Sequence, residues 1–533
     1  MRSVWGPVIV AALTFVSSVC ATGMARAQTA TVTLSSQKQF IRGFGGMSHA
    51  AWAGDLTAAE RTLAFGNGTG QLGFTALRIP VTDGSPDSAN VATAKAAIAA
   101  GAIVFATPWN AAGNMSSSQF ASYATHLNNF VSYMKGQGVD LYAISVQNEP
   151  DYGAQSGWMA WTAALCHDFV LNFGAMISTK LISCESFNYA KSYYDPILND
   201  AAALANVDVL GTHLYGTPVS GYPYALFDSK ASGQERWMTE HYTDSTTDAD
   251  SWPNALGVAT ELHHAMVDGQ FNLYTWWYIV RSYGPIKTSG AVSKRGWCMA
   301  HFSKFIRPGY HRVDATASPM SGVYLSAYKG DSDIVVVIVN TNSAAASLNV
   351  SIAGSTASSF DRFTTSATKS LSNDGKVTAS NGALTVSLDG QSVTTLHAGG
   401  ASTSGAGGAT ASGGSGGSLA TGGSGGVAGR GGPAGGRGGG GAAGAIGVTG
   451  SGGVLGTGGA IATGGAVGSG GVVGSGGAIA TGGAVGSGGA TGEASGEAGC
   501  ACGLAGQSAP SLAVVMTILA AAVLVRRRRT GRP

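Results

Sequence analysis

The chain has 533 residues, 83 of them glycine and 11% of them charged, with a formal charge of +2. The positive sign belongs to its ends: between residues 28 and 398, 21 basic residues stand against 26 acidic ones, a net −5. That balance excludes the basic surface of a nucleic-acid binder, and a stretch of about 370 residues is long enough for a barrel plus a smaller domain.

Residues 1–27 read as a secretory signal, with Arg2, an apolar run from Val8 to Val16, and the small-x-small site Ala25-Arg26-Ala27. Residues 28–42 follow as a strand, of which Ala30–Ile41 is expected to pair with a later β domain. From 43 to 306 short apolar runs alternate with longer periodic ones. Thr75–Ile79, Ile103–Thr107, Leu141–Val146, Val207–Gly211, Arg236–Thr239 and Leu273–Trp277 read as buried parallel strands. A helix is expected where Phe120, Tyr123, Leu127, Phe130, Val131 and Met134 fall on one face, stopped by Gly136 and Gly138. This repetition implies a (β/α)8 TIM barrel, with functional groups at the C-terminal ends of its strands. A doubly wound sheet is the alternative, but no glycine-rich phosphate loop opens a helix. Cys166, Cys184 and Cys298 are odd in number and lack metal-ligand spacing, so buried free thiols are expected, with one disulfide and one thiol as the alternative. No metal or cofactor is expected.

Residues 307–398 change to alternating strands, for example Val323, Leu325, Ala327 and Leu348, Val350, Ile352, with turn signals at Asp374-Gly375 and Asn381-Gly382. An antiparallel β-sandwich side domain is expected there. Residues 399–499 are a Gly/Ala/Ser-rich low-complexity spacer, in which the block at 458–471 recurs at 476–489. In 500–533, Cys500-Ala501-Cys502 precedes the apolar run Leu512–Val525 and four arginines from Arg526 to Arg529. That order reads as a transmembrane segment with a cytoplasmic stop, giving membrane or cell-surface anchoring of a secreted protein. It resembles the sorting tails of myxobacterial surface proteins.

Two glutamates carry the chemistry. Asn148-Glu149-Pro150 follows the run Leu141–Val146, and Glu240 ends Trp237-Met238-Thr239-Glu240, so the pair falls on barrel strands four and seven. Hydrolysis of a glycoside needs an acid for the leaving oxygen and a carboxylate facing the anomeric carbon. Further candidates close other strands: Arg78 the second, Trp109-Asn110 the third, and His213 with Tyr215 the sixth, Tyr215 being placed to donate to Glu240. Asp55, in a loop, and Glu185, on strand five, are the rival carboxylates.

Six motifs then carry a resemblance: Gly43-Phe44-Gly45-Gly46, Trp52-Ala53-Gly54-Asp55-Leu56-Thr57, Ser145 to Tyr152, Gly211 to Gly216, Trp237 to Glu240, and Trp276-Trp277-Tyr278. Together they resemble glycoside hydrolase family 30, subfamily 8, the bacterial glucuronoxylan endo-1,4-β-xylanases, from about Gln37 to Leu396. The resemblance implies double displacement with retention, Glu149 as acid/base, Glu240 as nucleophile, and substrate contacts that include Trp52, Asn148 and Tyr152. It maps a cluster for the 4-O-methylglucuronic acid branch onto Ser245, Trp277, Tyr278, Arg281 and Tyr283. Relatives commonly carry two arginines where this chain has Val280-Arg281, and His241 stands where an apolar residue is usual. The implied partner is glucuronoxylan. A general xylanase, a β-1,6-glucanase of the same family, and a non-catalytic surface carbohydrate-binding protein are the alternatives.

Overall fold

The computed structural model describes residues 28–109, 115–153, 159–243 and 246–399. The expected signal, spacer and tail lie outside them, as do Asn110 and Ser245. Eight parallel strands close a barrel in chain order: β2 (Gly43–Met47), β3 (Ala76–Val81), β4 (Ile103–Pro108), β5 (Ala143–Ser145), β6 (Lys180–Ile182), β7 (Val209–His213), β8 (Glu235–His241) and β9 (Leu273–Tyr278). β9 pairs back onto β2.

The inward faces explain where chemistry can sit. Ala76, Phe105, Ala143, Ile182, Val209, Trp237 and Leu273, one from each of β3 to β9, form a dry layer inside the barrel. Side chains two residues on share a face, so Arg78, Thr107, Ser145 and Thr239 point the same way one layer nearer the C-terminal ends, and all four are buried. The interior therefore turns from apolar to polar along the strand direction.

β2 is the strand its composition hides, because Gly-Phe-Gly-Gly-Met has neither β-branched residues nor alternation. Its glycines serve close approach: a Cβ on Gly45 would stand 1.8 Å from the Ala76 carbonyl oxygen on β3. The helix Phe120–Gly136 buries all six residues of its expected apolar face against the barrel; each such side chain stabilises by roughly 1.5–3 kcal/mol. Cysteine corrects the expectation of free thiols. Cys166, on the helix Ala163–Phe173, and Cys184, two residues past β6, form a disulfide across 18 residues, while Cys298 is free and buried. A helix packed on the strand that follows it brings two such positions together, which spacing alone does not reveal.

The second unit of architecture is a nine-stranded sheet. Its strands are β1 (Gln28–Phe40), β10 (His311–Ala315), β11 (Val323–Lys329), β12 (Ile334–Asn340), β13 (Ala346–Ala353), β14 (Ser359–Thr365), β15 (Ser372–Thr378), β16 (Ala383–Leu388) and β17 (Ser392–Ala398), in the order β15-β14-β17-β12-β11-β10-β1-β13-β16. Alternate residues such as Val32, Leu325, Ile338, Val350 and Val386 meet in one apolar core. All neighbours pair antiparallel except β1 and β13, which run parallel from Gln28↔Leu348 to Thr33↔Ala353. The antiparallel expectation fails there because the whole barrel separates the two strands in sequence, so no hairpin dictates their direction. Asn381-Gly382 makes the expected turn, both residues at positive φ between β15 and β16. Asp374-Gly375 does not: it lies inside β15, where the pairing with β14 is irregular. Barrel and sheet meet at buried His301, whose ring nitrogens lie 2.8 Å from Thr395 Oγ1 and 2.9 Å from Thr365 Oγ1.

Candidate active site

β5 ends at Ser145, but its chain runs on in strand-like contact. Asn148 N–H donates to the Pro108 carbonyl of β4 and Glu149 N–H to the Glu185 carbonyl beyond β6, at 3.0 and 2.8 Å. Glu149 then adopts φ 41, a left-handed conformation uncommon for a side chain other than glycine. The turn leaves its carboxyl buried at the C-terminal mouth of the barrel, 3% exposed, opposite Glu240 at 4%.

Arg78 organises the acids. It is fully buried, donates through Nη1 to Glu240, through Nη2 to Glu185 Oε2 at 2.8 Å and to Asn148 Oδ1 at 2.7 Å, and through Nε to Thr107 at 3.2 Å. Its guanidinium also lies 4.5 Å from the centre of the Trp109 ring. Burial works against its charge, but Glu185 and Glu240 outweigh that and hold it firmly protonated. Tyr215 Oη donates to the other oxygen of Glu240 at 2.9 Å, and His213 Nδ1 lies 2.9 Å from Glu149 Oε1.

The two acids are thereby made unequal. Burial, with the negative charge of Glu240 behind it, pushes the Glu149 carboxyl well above the ordinary glutamate range. Burial pushes Glu240 up as well, while Arg78 and the Tyr215 hydroxyl pull it down. The first shared proton therefore resides on Glu149, leaving Glu240 ionised. Burial and the charge of Arg78 keep His213 neutral, its pKa well below the usual histidine value. Among the described residues, the Nδ2 of Asn148 has no acceptor, which leaves a buried, unsatisfied donor beside Glu149.

Glu149, Glu240 and His213 each offer one atom within 4.8 Å of the others, the one trio among the described residues spaced for a metal ion. A dication needs both carboxylates ionised. Here Glu240 already answers to Arg78 and Glu149 favours its proton, so the trio suits proton transfer better than metal binding.

Aromatic rings wall the cleft. Trp52, Trp109 and Trp277 have centroids 5.6, 5.9 and 6.2 Å apart pairwise, and His49 stacks on Trp52 at 3.8 Å. A cavity of about 380 Å³ opens beside Trp52 and Trp109, lined also by His49, Asp83, Asp87 and Asn90. On another side Tyr152 stacks on Phe187 at 4.4 Å, and Phe187 on Tyr215 at 4.9 Å. Trp277 packs on Tyr278 at 4.3 Å, and the Arg281 guanidinium lies 4.3 Å from the centre of the Tyr278 ring. Tyr283 is reached through Tyr242, 5.2 Å away, whose ring is 5.4 Å from Tyr215. Arg281 forms no ion pair with a carboxylate among the described residues.

Of the rival carboxylates, Asp55 is bound by Arg61 and Thr93 away from the pair. Glu185 is part of the site as the second counterion of Arg78. His49 and Phe187 escaped the sequence reading because packing rings carry no motif of their own: His49 falls between two motif segments and Phe187 lies two residues past Glu185.

No family model matches the chain. Over 393 residues it is 49% identical to the glucuronoxylanase XynC of Bacillus subtilis (strain 168), an alignment covering 70% of this chain and 93% of that one. A GH30 endoxylanase from Clostridium papyrosolvens C71 is 40% identical with a TM-score of 0.65, covering 70% of this chain and 100% of that one. The family 30 subfamily 8 xylanase Xyn30A from Clostridium acetobutylicum is 33% identical with a TM-score of 0.63, over the same shares.

Proposed function

The chain belongs to the glucuronoxylanases of glycoside hydrolase family 30, subfamily 8, and from that premise we propose how its residues divide the reaction. It is an endo-acting xylanase that hydrolyses β-1,4-xylosidic bonds of glucuronoxylan with retention, directed by the 4-O-methylglucuronic acid branch. The observation that carries the mechanism is the pair of buried carboxyls with facing oxygens within 4.8 Å. Retaining enzymes hold the two carboxyls about 5–5.5 Å apart, whereas inverting ones leave about 6.5–9.5 Å for a water.

Glu149, protonated at rest, gives its proton to the leaving glycosidic oxygen as Glu240 attacks the anomeric carbon. Arg78 and Tyr215 hold the two Glu240 oxygens, and a xylosyl ester forms on that carboxylate. The aglycone leaves, and Glu149, now ionised, takes a proton from an incoming water that displaces Glu240. His213, neutral, steadies Glu149 in both states. Trp52, Trp109 and Tyr152 offer apolar faces to the sugar rings, and Asn148 a donor to a hydroxyl.

The branch is read by Arg281, which grips the uronate carboxylate from its perch on Tyr278, with Trp277, Tyr283 and Ser245 completing the cluster. A charge-assisted hydrogen bond contributes roughly 1.5–3 kcal/mol, so Arg281→Ala is expected to lower kcat/KM on glucuronoxylan about tenfold to a hundredfold. Any slow cleavage of unbranched xylan should change much less. With the branched xylose in subsite −2, products carry one uronate on the xylose next to the reducing end. An unchanged preference of the variant for the branched polymer would remove Arg281 from recognition. Equal cleavage of linear xylan by the wild type would favour the general-xylanase reading, with Val280 in place of a second arginine as its cause.

We further infer that the enzyme is exported and held at the cell surface. The signal-like residues 1–27, the spacer 399–499 and the apolar, arginine-ended segment 500–533 support this, and a disulfide between Cys166 and Cys184 fits an oxidising compartment. Fractionation of producing cells should find the tail-bearing protein with the envelope. Full-length protein free in the medium with its tail intact would refute anchoring.

A further inference from the structure

Glu240 stands at an irregular point of its strand. β7 and β8 pair in step from Val209↔Glu235 to Thr212↔Met238, and then His213 faces Glu240 rather than Thr239. On the other side Met238 faces Tyr274, but Trp276 faces His241 rather than Glu240. β8 thus carries one residue more than both neighbours between Met238 and His241. Such a bulge re-aims a side chain and leaves ladder bonds unmade. The direction of Glu240 must then be held by something other than the ladder.

The residue after the bulge does this. His241 Nδ1 lies 2.6 Å from Glu261 Oε1, and the Tyr274 hydroxyl donates to the same oxygen at 2.6 Å. Glu261 belongs to the helix Leu256–Val267 and Tyr274 to β9. One carboxylate therefore ties the end of β8 to the outer helix and to the next strand. Both members of the His241–Glu261 pair are largely buried, with side chains 12% and 11% exposed. The other face of His241 meets the Tyr215 ring at 4.8 Å, and Tyr215 is the hydroxyl donor to Glu240. No step of the hydrolysis uses His241 or Glu261.

We propose that His241 and Glu261 form a positioning clamp that fixes the bulge of β8, and through it the aim of Glu240 and the seat of its Tyr215 donor. The clamp touches no substrate. It rests on Glu240 being the nucleophile and adds to that reading the pair of residues that sets its geometry.

The test separates the hydrogen bond from packing. His241→Leu fills much of the ring's volume without a donor, whereas His241→Asn places an amide nitrogen near the position of Nδ1. Rates on glucuronoxylan are counted per active site, titrated with a 2-fluoro-xylobiosyl inactivator, so that any misfolded fraction is removed from the comparison. A misplacement of about 1 Å can cost a hundredfold, so His241→Leu should lower kcat about tenfold to a hundredfold with KM within about twofold, and His241→Asn should restore most of it. Glu261→Leu, on a different element, should reproduce the loss, and Glu261→Gln, which keeps an acceptor oxygen, should not. If kcat per site is the same for His241→Leu, His241→Asn and the wild type, the clamp is refuted. Glu240→Gln serves as the control: if it stays active, the assignment of the nucleophile falls instead.

Discussion

Glu240→Gln is expected to lower turnover on glucuronoxylan by several orders of magnitude while the protein stays folded, and Glu149→Gln to do the same for a different reason. The amide in place of Glu240 keeps the shape and can still accept from Tyr215, but it cannot form the ester intermediate. The amide in place of Glu149 cannot protonate the leaving oxygen, a contribution of typically 10²–10⁴-fold. An aryl xylobioside whose phenol leaves without protonation tells the two apart. On it Glu149→Gln should recover the first chemical step as a burst of phenol, and Glu240→Gln should not. The pH profile carries the same information. Because burial and Glu240 raise the pKa of Glu149, the fall of kcat/KM on the alkaline side should lie above the ordinary glutamate range, and Glu149→Gln should lose that limb. A first-formed product of inverted configuration in NMR, or recovery of both variants on the aryl substrate, would sink the assignment.

Arg78→Met is expected to be nearly as damaging to activity and far more damaging to stability. The side chain is fully buried between two carboxylates, Glu185 and Glu240, so its removal leaves uncompensated charge in a dry site. Breaking a buried pair by removing one partner typically costs about 3–5 kcal/mol. Some of that is escaped by protonating a carboxylate, and protonating Glu240 removes the nucleophile. The acid limb of kcat/KM should move to higher pH, and the urea midpoint of unfolding should fall. Arg78→Lys should land in between, since a point charge cannot serve Glu240, Glu185, Asn148 and Thr107 through separate nitrogens as the planar fork does. A methionine variant with wild-type midpoint and turnover would show that the charge network is dispensable.

Much of this site is legible in the sequence because its residues sit where strand periodicity puts them. Arg78, Trp109, His213 and Glu240 lie at or just past the ends of apolar runs, and a barrel gathers such ends in one place. The long helix is equally plain, since six apolar residues at helical spacing leave no other way to bury them. What escaped has a common cause: it is decided by neighbours remote in sequence. Gly43–Met47 is a strand because another backbone passes close to Gly45, which no propensity records. Cys166 and Cys184 pair because a helix folds back on the strand after it. Asp374-Gly375 carries a strong turn signature, yet pairing of β15 with β14 on both sides of it holds it in the sheet as an irregularity. Glu185 reads as a competitor for catalysis until its partner Arg78 is seen, and the bulge beneath Glu240 appears only when three strands are set side by side.

The placement of β1 bears on the order in which the chain can fold. β1 lies between β10 and β13, so this strand waits for partners that begin more than 280 residues later. Until β1 docks, the antiparallel pair of β13 and β16 has no edge to join, and the rest of the sheet ends at an unpaired β10. Contacts so distant along the chain form slowly, which makes closure of this sheet the natural late step, after the barrel has brought residue 41 and residue 310 within one hydrogen bond of each other. The two ends of the barrel act as a buckle. A ribosome stalled between β9 and β10 would hold a barrel whose strap is still open.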